Sequence, residues 1–326
     1  MGLRVLVSAP YMLPVIERFQ PIFDELDIEV VLAEVEECLS EDELMAYVGS
    51  IDGVICGDDR FTEKVLKVAA PRLQVISKWG TGIDSIDQEA AKELGIQVLN
   101  TPGAFTEPVA DSVLGYILAF ARSQPWMTQQ MRDGEWEKIA GRALSECTLG
   151  VVGVGKIGKA VLKRAQIFGM CLLGNDIVEI DSGFITEVGV QMLDLPGLLK
   201  QADFISINCD LNPTSKGLID PVAFKLMQPH AVLINTARGP IVVEKALIEA
   251  LREKSIAGAA LDVFEKEPLP GESPLCTMDN VLLAPHNANS SPGAWEMVHL
   301  NTLRNLITGL ELPVPTNLDE MVSRSL

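Results

Sequence analysis

The sequence predicts an α/β protein with two doubly wound parallel sheets, one domain inserted into the other. Three observations carry this. Short apolar runs alternate with helical patterns from Leu3 to Leu283, as expected of parallel strands covered by helices. A glycine pattern, Gly153-x-Gly155-x-x-Gly158, stands between one such run and a helical stretch. The alternation breaks at Asn100-Thr101-Pro102-Gly103 and again near Pro285, so two crossings divide the 326 residues. The expected boundaries are 1–99 and 287–326 for the outer domain and 100–286 for the inserted one. A chain of this length suits two domains rather than one.

In the first domain the strand signals are Leu3–Val7, Glu29–Leu32, Val54–Cys56, Gln74–Ile76 and Gln97–Leu99. Helical patterns lie between them, for example Val15 to Leu26 and Glu89 to Leu94, the latter closed by Gly95. Gly80-Thr81-Gly82 follows the fourth strand. It is either an anion cradle of backbone N–H groups at the carboxyl end of the sheet or a structural loop. A long amphipathic helix is expected from Pro108 to Arg122, ended by Ser123-Gln124-Pro125-Trp126. Trp126 and Trp136 read either as oligomer contacts or as side chains packed within the chain. After the glycine pattern, strands recur at Cys171–Gly174, Val190–Met192, Phe204–Ile207, Ala231–Ile234, Ala257–Leu261 and Val281–Leu283. The tail carries Trp295, Val298, Leu303, Leu306 and Ile307 on a helix and is expected to return to the first domain.

The glycine pattern carries the first functional inference. Leu149 to Val152 reads as a buried strand, and Ala160, Val161, Leu162 and Ala165 follow at helical spacing. Gly153 permits the turn, Gly155 leaves room for a pyrophosphate, and Gly158 lets helix and strand approach closely. The next strand ends in Asn175-Asp176, which places a carboxylate near the usual spacing for an adenosine ribose. Asp176 accepts hydrogen bonds from ribose hydroxyls and repels a 2′-phosphate, while Ile177 and Val178 supply no cation. The cofactor expected is therefore NAD rather than NADP.

Composition narrows the partners. With 26 basic and 45 acidic residues the net charge is −19, which argues against nucleic acid and anionic membranes. No apolar run reaches membrane-spanning length, and the start lacks a signal-like apolar core. The six cysteines form no C-x-x-C pair; Cys56, Cys171 and Cys209 lie in apolar runs and read as small buried hydrophobes. These features suggest a cytoplasmic protein. Three histidines without paired ligand spacing make a metal site unexpected.

Three stretches could do chemistry. In Asn235-Thr236-Ala237-Arg238-Gly239, an arginine just past a buried strand suits bidentate binding of a carboxylate, or else a structural ion pair. In Leu261-Asp262-Val263-Phe264-Glu265-Lys266-Glu267-Pro268 any acid could simply be solvated, and Glu265 is read so. Pro285-His286-Asn287-Ala288 places one histidine at the second crossing, where it can exchange a proton near neutrality. His230 and His299 are read as structural.

Together these residues resemble the D-isomer-specific 2-hydroxyacid dehydrogenase family over nearly the whole chain. The phosphoglycerate dehydrogenase branch looks most similar, through Gly80-Thr81-Gly82-Ile83-Asp84, Asn100-Thr101-Pro102, Asp133-Gly134-Glu135-Trp136, Thr236-Ala237-Arg238-Gly239 and Ala259-Ala260-Leu261-Asp262-Val263-Phe264. The resemblance implies a Rossmann NAD-binding domain inserted into a flavodoxin-like substrate domain. It implies hydride transfer between a D-2-hydroxyacid, or its 2-keto acid, and NAD. Arg238 would bind the substrate carboxylate, His286 would carry the proton, and Glu267 would pair with His286. Backbone N–H groups of Gly80, Thr81, Gly82 and Ile83 would meet the carboxylate, with Lys78, Trp79 and Arg60 beside them. Cofactor contacts would fall on Thr81, Gly153, Gly155, Lys156, Ile157, Gly158, Asp176, Cys209, Thr236, Ala237, Arg238, Asp262, His286 and Ala288. A homodimer through the nucleotide domain is implied as well. A second reading is a non-catalytic NAD(H)-sensing module like the corepressors of this fold. Some residues depart from the family's pattern. Cys56 stands where phosphoglycerate dehydrogenases usually carry an arginine for the substrate phosphate, with Arg60 a few residues on. Trp79 replaces a small residue, Asp210 replaces a proline, and Asn287 and Asn289 flank Ala288. The hydride chemistry is untouched by these changes; whether the substrate is phosphorylated is left open.

Overall fold

The computed structural model describes residues 2–316 and Leu318. The chain forms two compact units, Met1–Phe105 with Ser291–Leu326 and, between them in sequence, Thr106–Ser290. The crossings lie a few residues beyond the expected 99/100 and 286/287 positions. Residues 317 and 319–326 of the expected 287–326 segment fall outside the described residues.

The first unit holds five parallel strands: β1 (Leu3–Val7), β2 (Ile28–Leu32), β3 (Gly53–Cys56), β4 (Val75–Lys78) and β5 (Gln97–Leu99), in the order β2-β1-β3-β4-β5. This is the flavodoxin-like order, with its switch point between β1 and β3. β3 and β4 are buried along their whole length; β3 is apolar throughout, whereas β4 ends in the buried polar residues Ser77 and Lys78. The helix Pro292–Gly309 covers them. A Cβ added to Gly309 would lie 2.3 Å from Val75 Cγ2, and one added to Gly53 would lie 2.9 Å from Leu306 Cδ1.

The second unit holds seven parallel strands: β6 (Thr148–Val152), β7 (Cys171–Asn175), β8 (Gln191–Met192), β9 (Phe204–Ile207), β10 (Val232–Asn235), β11 (Gly258–Leu261) and β12 (Val281–Leu283). Their order is β12-β11-β10-β9-β6-β7-β8. This is the dinucleotide-binding arrangement with a seventh strand at one edge, and the order of strand addition reverses between β6 and β9 while all strands stay parallel. One face packs Leu149 and Val151 with Val113 and Ile117 of the helix Thr106–Ala121 and Val161 of the helix Lys156–Ile167. The other face packs Ile205, Leu233 and Ala259 with Leu198, Phe224 and Leu247.

Several local expectations need correction. The Val15–Leu26 pattern is not one helix but a 3-10 stretch, Leu13–Phe19, followed by the α-helix Gln20–Glu25. Pro21 has no N–H to continue the ladder, so the chain resets there. Cys171 is exposed and Cys209 only half-buried, so of the three cysteines read as buried only Cys56 is. Cys171 is the first residue of β7, ahead of the buried run Leu172–Gly174. β4 and β10 each run further than expected, to Lys78 and Asn235, so the sheet ladder includes the polar residue that opens each functional loop. Glu265 is exposed but not merely solvated: its Oε1 accepts the N–H of Glu244 at 2.9 Å. Trp126 packs within the chain, its ring tilted against Phe120 at 4.9 Å and its N–H donating to the Asp279 carbonyl at 2.6 Å, whereas Trp136 is 83% exposed. Among the described residues no helix is long and apolar enough to cross a membrane.

Candidate active site

The glycine turn leaves the end of β6 at the switch point. Gly153 has φ +91°, and a Cβ there would lie 2.5 Å from the Cys209 nitrogen; the turn is pressed against the backbone that follows β9. A Cβ on Gly158 would come within 2.0 Å of the Gly153 carbonyl oxygen, so only glycine lets the helix Lys156–Ile167 start this close. Gly155 caps that helix without a side-chain hydrogen bond, and nothing lies within 4 Å of where its Cβ would be. Two positions are thus closed to any side chain and the middle one opens outward, onto uncapped helix N–H groups that favour an anion.

Asp176 sits beside this turn. Its Oδ2 accepts the Val154 N–H at 2.6 Å and its Oδ1 accepts the Val178 N–H at 3.1 Å. Each oxygen retains a second lone pair for an outside donor. At the ends of β9 and β10 two buried atoms, Asn208 Oδ1 and Thr236 Oγ1, have no hydrogen-bond partner among the described residues. Buried polar atoms left unpaired are costly, and at these two strand ends a bound ligand would complete the bonding. The open cradle, the carboxylate and the unpaired hydroxyl together fit a dinucleotide. Lys156, Ile157, Cys209 and Ala237 lie on the same turns, and burial pushes the Cys209 thiol up to about 11.

Three loops beyond β10, β11 and β12 form one connected set. Asn235, only 1% exposed, donates from Nδ2 to the Arg238 carbonyl at 3.0 Å and accepts the Ala237 N–H at 3.1 Å, which fixes the curve of that loop. Arg238 is half-buried, and its Nη1 donates to the Ala237 carbonyl at 2.9 Å. A Cβ on Gly239 would lie 1.9 Å from the Phe264 carbonyl carbon, so the arginine loop rests directly on the backbone of the acidic loop. Glu267 turns back on that loop and accepts the Phe264 N–H through Oε1 at 2.8 Å, while its Oε2 lies 2.9 Å from His286 Nδ1.

His286 adopts φ +51°, a conformation that is strained for a side-chain-bearing residue. Asp262 holds it there. The Asp262 carbonyl accepts the His286 N–H at 2.8 Å, and its buried carboxylate accepts the N–H groups of Asn287 at 2.8 Å and Ala288 at 2.9 Å. Burial pushes the Asp262 carboxyl above its usual range, against the pull of those two donors. Asp262, expected as a cofactor contact, thus has its carboxylate turned to the histidine loop.

In the first unit, Lys78 to Ile83 follow β4. The Lys78 ammonium is buried, 3.1 Å from Asp58 Oδ1, and donates to the Trp79 carbonyl at 3.2 Å. Gly80 has φ +126°, and its carbonyl accepts both the N–H and the hydroxyl of Thr101, at 2.9 and 2.8 Å. Asn100 Nδ2 donates to the Thr81 carbonyl at 2.6 Å, and Thr81 Oγ1 donates to the Thr101 carbonyl at 3.2 Å. With these carbonyls engaged, Gly80 and Thr81 are tied to the Asn100–Thr101 segment, and Thr81–Ile83 stay half-exposed. Arg60 is exposed, on the loop after β3. Sequence reasoning missed Gly239, Asp58 and the anchoring role of Thr101. A glycine directly after the arginine was the signal available for the first.

Comparison with known proteins identifies the family. The family model for the D-isomer specific 2-hydroxyacid dehydrogenase NAD binding domain matches residues 114–288. The D-3-phosphoglycerate dehydrogenase of Methanocaldococcus jannaschii is 41% identical over 270 residues, 82% of this chain, but only 51% of that protein's length is spanned. A glyoxylate reductase of Korarchaeum cryptofilum is 38% identical over 256 residues, 77% of each chain. The solved structure of D-lactate dehydrogenase from Aquifex aeolicus, complexed with NAD and lactic acid, is similar with a TM-score of 0.82 at 25% identity, covering 99% of this chain and 98% of that one. The chain belongs to the D-isomer specific 2-hydroxyacid dehydrogenase family, a family of NAD-dependent oxidoreductases.

Proposed function

We propose that this chain interconverts a D-2-hydroxyacid and its 2-keto acid through Arg238, Glu267 and His286, with NAD as the hydride carrier. The observation that supports this best is the carboxylate–imidazole pair, Glu267 Oε2 to His286 Nδ1 at 2.9 Å, on a loop braced by Asp262 and joined to the arginine loop through Gly239. NAD, which the Gly153–Gly158 turn and Asp176 would hold, would supply the hydride acceptor for the hydroxyacid and, reduced, the hydride donor for the keto acid. Glu267 fixes the proton on Nδ1, so proton exchange with the substrate oxygen falls to Nε2. In reduction His286 gives a proton to the carbonyl oxygen, and in oxidation it takes one from the hydroxyl. Arg238 holds the carboxylate and draws electron density from the carbonyl, for which a planar guanidinium is suited. The Gly80–Ile83 N–H groups are the second carboxylate cradle in this reading. Asp176 selects NAD over NADP by charge. The protein is read as a cytoplasmic homodimer, which sedimentation would test.

The decisive assay is NADH oxidation with a panel of keto acids. His286→Ala is expected to lower kcat about 10²–10⁴-fold. Arg238→Lys should not restore what Arg238→Ala loses, because an ammonium lacks the fork. Turnover unchanged in both His286→Ala and Arg238→Ala would refute the mechanism. Stable NADH binding with no turnover of any keto acid would point instead to a sensing module.

A further inference from the structure

The carboxyl ends of β1, β3 and β4 meet at the first unit's switch point, where open parallel sheets bind ligands. Aromatic residues make up 5% of the sequence, yet four gather here. Tyr11, after β1, lies 5.2 Å from Trp79 and 5.0 Å from Trp295, ring centre to ring centre. Trp79, after β4, lies 5.7 Å from Phe105 and 6.1 Å from Trp295. The Trp79 indole is 5% exposed and fixed at two points. Its backbone N–H donates to the Cys56 carbonyl at 2.9 Å, and its Nε1 donates to His299 Nδ1 at 3.0 Å. An indole N–H can only donate, so His299 accepts at Nδ1 and carries its own proton on Nε2. Burial pushes the His299 imidazole down to about 4, so this acceptor persists through neutral pH.

At the same edge one lysine is paired with an aspartate and one arginine is exposed. Cys56 is a buried neutral thiol, raised further by burial. The Lys78 ammonium is paired with Asp58 and lies 3.6 Å from where a Gly80 Cβ would be, directly under the turn. Asp59 is buried and takes the Leu39 N–H at 2.6 Å and the Ser8 hydroxyl. One substrate carboxylate at the turn is favoured by the lysine beneath it. A second, doubly charged group would find Asp58 and an aromatic surface there, with Arg60 an exposed cation on the loop after β3, instead of the arginine cluster that phosphate recognition uses.

We propose that Trp79, held in place by His299, is the wall that sets the length of the substrate's tail, and that the substrate is a 2-hydroxyacid with a short uncharged tail rather than a phosphorylated one. The inference rests on the hydride-transfer reading above. Trp79 is the specificity-determining residue, and His299 is a positioning residue that acts through it.

The test measures kcat/KM with NADH for glyoxylate, pyruvate, hydroxypyruvate, ketoisocaproate and phosphohydroxypyruvate. In the unchanged protein the three short uncharged acids are expected to exceed both others by about 10–100-fold, the range that pocket fit supplies. Trp79→Ala is expected to raise the ketoisocaproate-to-glyoxylate ratio about tenfold or more. His299→Ala should move the ratio the same way, chiefly through KM for the bulky acid. His299→Asn, which offers an oxygen acceptor to the indole, should return it towards the starting value. A preference of the unchanged protein for phosphohydroxypyruvate overturns the proposal without touching the hydride-transfer reading. A ratio that stays constant in folded Trp79→Ala or Trp79→Phe protein does so as well. No turnover of any acid overturns both.

Discussion

Gly239→Ala tests whether the arginine loop and the acid–histidine pair act as one unit. The glycine has no left-handed backbone requirement, so the new methyl acts through space alone. Its Cβ would stand 1.9 Å from the carbonyl carbon and oxygen of Phe264 and 2.5 Å from the Glu265 nitrogen, all backbone atoms. Ordinary contact begins at 3.4 Å, so the two loops must part by roughly 1.5 Å (3.4 less 1.9). Phe264 cannot move alone, because its N–H is bound to Glu267 and Glu267 is bound to His286. A displacement near 1 Å in a catalytic group costs about 10²-fold in rate. Overpacking at such a contact destabilises by about 1–3 kcal/mol. The assay is kcat/KM for keto-acid reduction together with urea unfolding. Gly271→Ala serves as control, since nothing lies within 4 Å of its Cβ position. A Gly239→Ala protein with the activity of Gly271→Ala would show that the loops adjust independently, and the coupling argument would fail.

Glu267→Gln removes the charge that orients His286 and is expected to lower kcat by about 10²-fold, while NADH binding measured by fluorescence is retained. Asp176→Ala should weaken NADH by roughly 10–100-fold and narrow its advantage over NADPH, since hydrogen bonds to a charged partner contribute about 1.5–3 kcal/mol; equal loss for both cofactors would contradict the ribose role. His299 predicts a pH dependence of stability. Its folded-state proton affinity lies below the usual 6.5, at about 4, so the unfolded chain takes up the proton first. Stability is therefore full above about pH 6.5 and falls as pH drops towards 4, by about 3 kcal/mol in all. Glu296 opposes this shift and Arg18, paired with it at 2.7 Å, adds to it. Urea midpoints at pH 7 and pH 4.5 should differ less in His299→Phe than in the unchanged protein.

The strands were the most legible part of the sequence. Leu3–Val7, Gln97–Leu99, Phe204–Ile207 and Val281–Leu283 stand where their mostly apolar runs stand, because short apolar segments between helical patterns mark parallel strands even where a polar residue such as Arg4 or Ser206 intervenes. Short helices were harder. Pro14 and Pro21 interrupt one apolar period, and periodicity alone does not register a missing N–H. Arg238 and His286 could be singled out because each lies just past a strand, where a polar residue has no structural reason to face the core; Glu267, six residues beyond β11 on a loop with other acids, was marked only by the family resemblance. What Asp262 and Gly239 do depends on which loops touch, and that follows from strand order rather than from local sequence. Trp79 and His299 are 220 positions apart, and a histidine within an apolar helix face carries no mark of its partner.

The helix Pro292–Gly309 packs on β3 and β4, although the whole second unit separates it from them in sequence. During synthesis the stretch up to Phe105 therefore emerges with β3 and β4 bare on the face that this helix covers. The later, contiguous unit can complete its core first. Until the ribosome has released the segment beyond Ser290, Gly53, Val75 and Trp79 have no helix to lie against. The chain thus inverts the usual order of domain maturation. Its earliest residues are the last to gain protection, a property that protease digestion of stalled nascent chains would reveal.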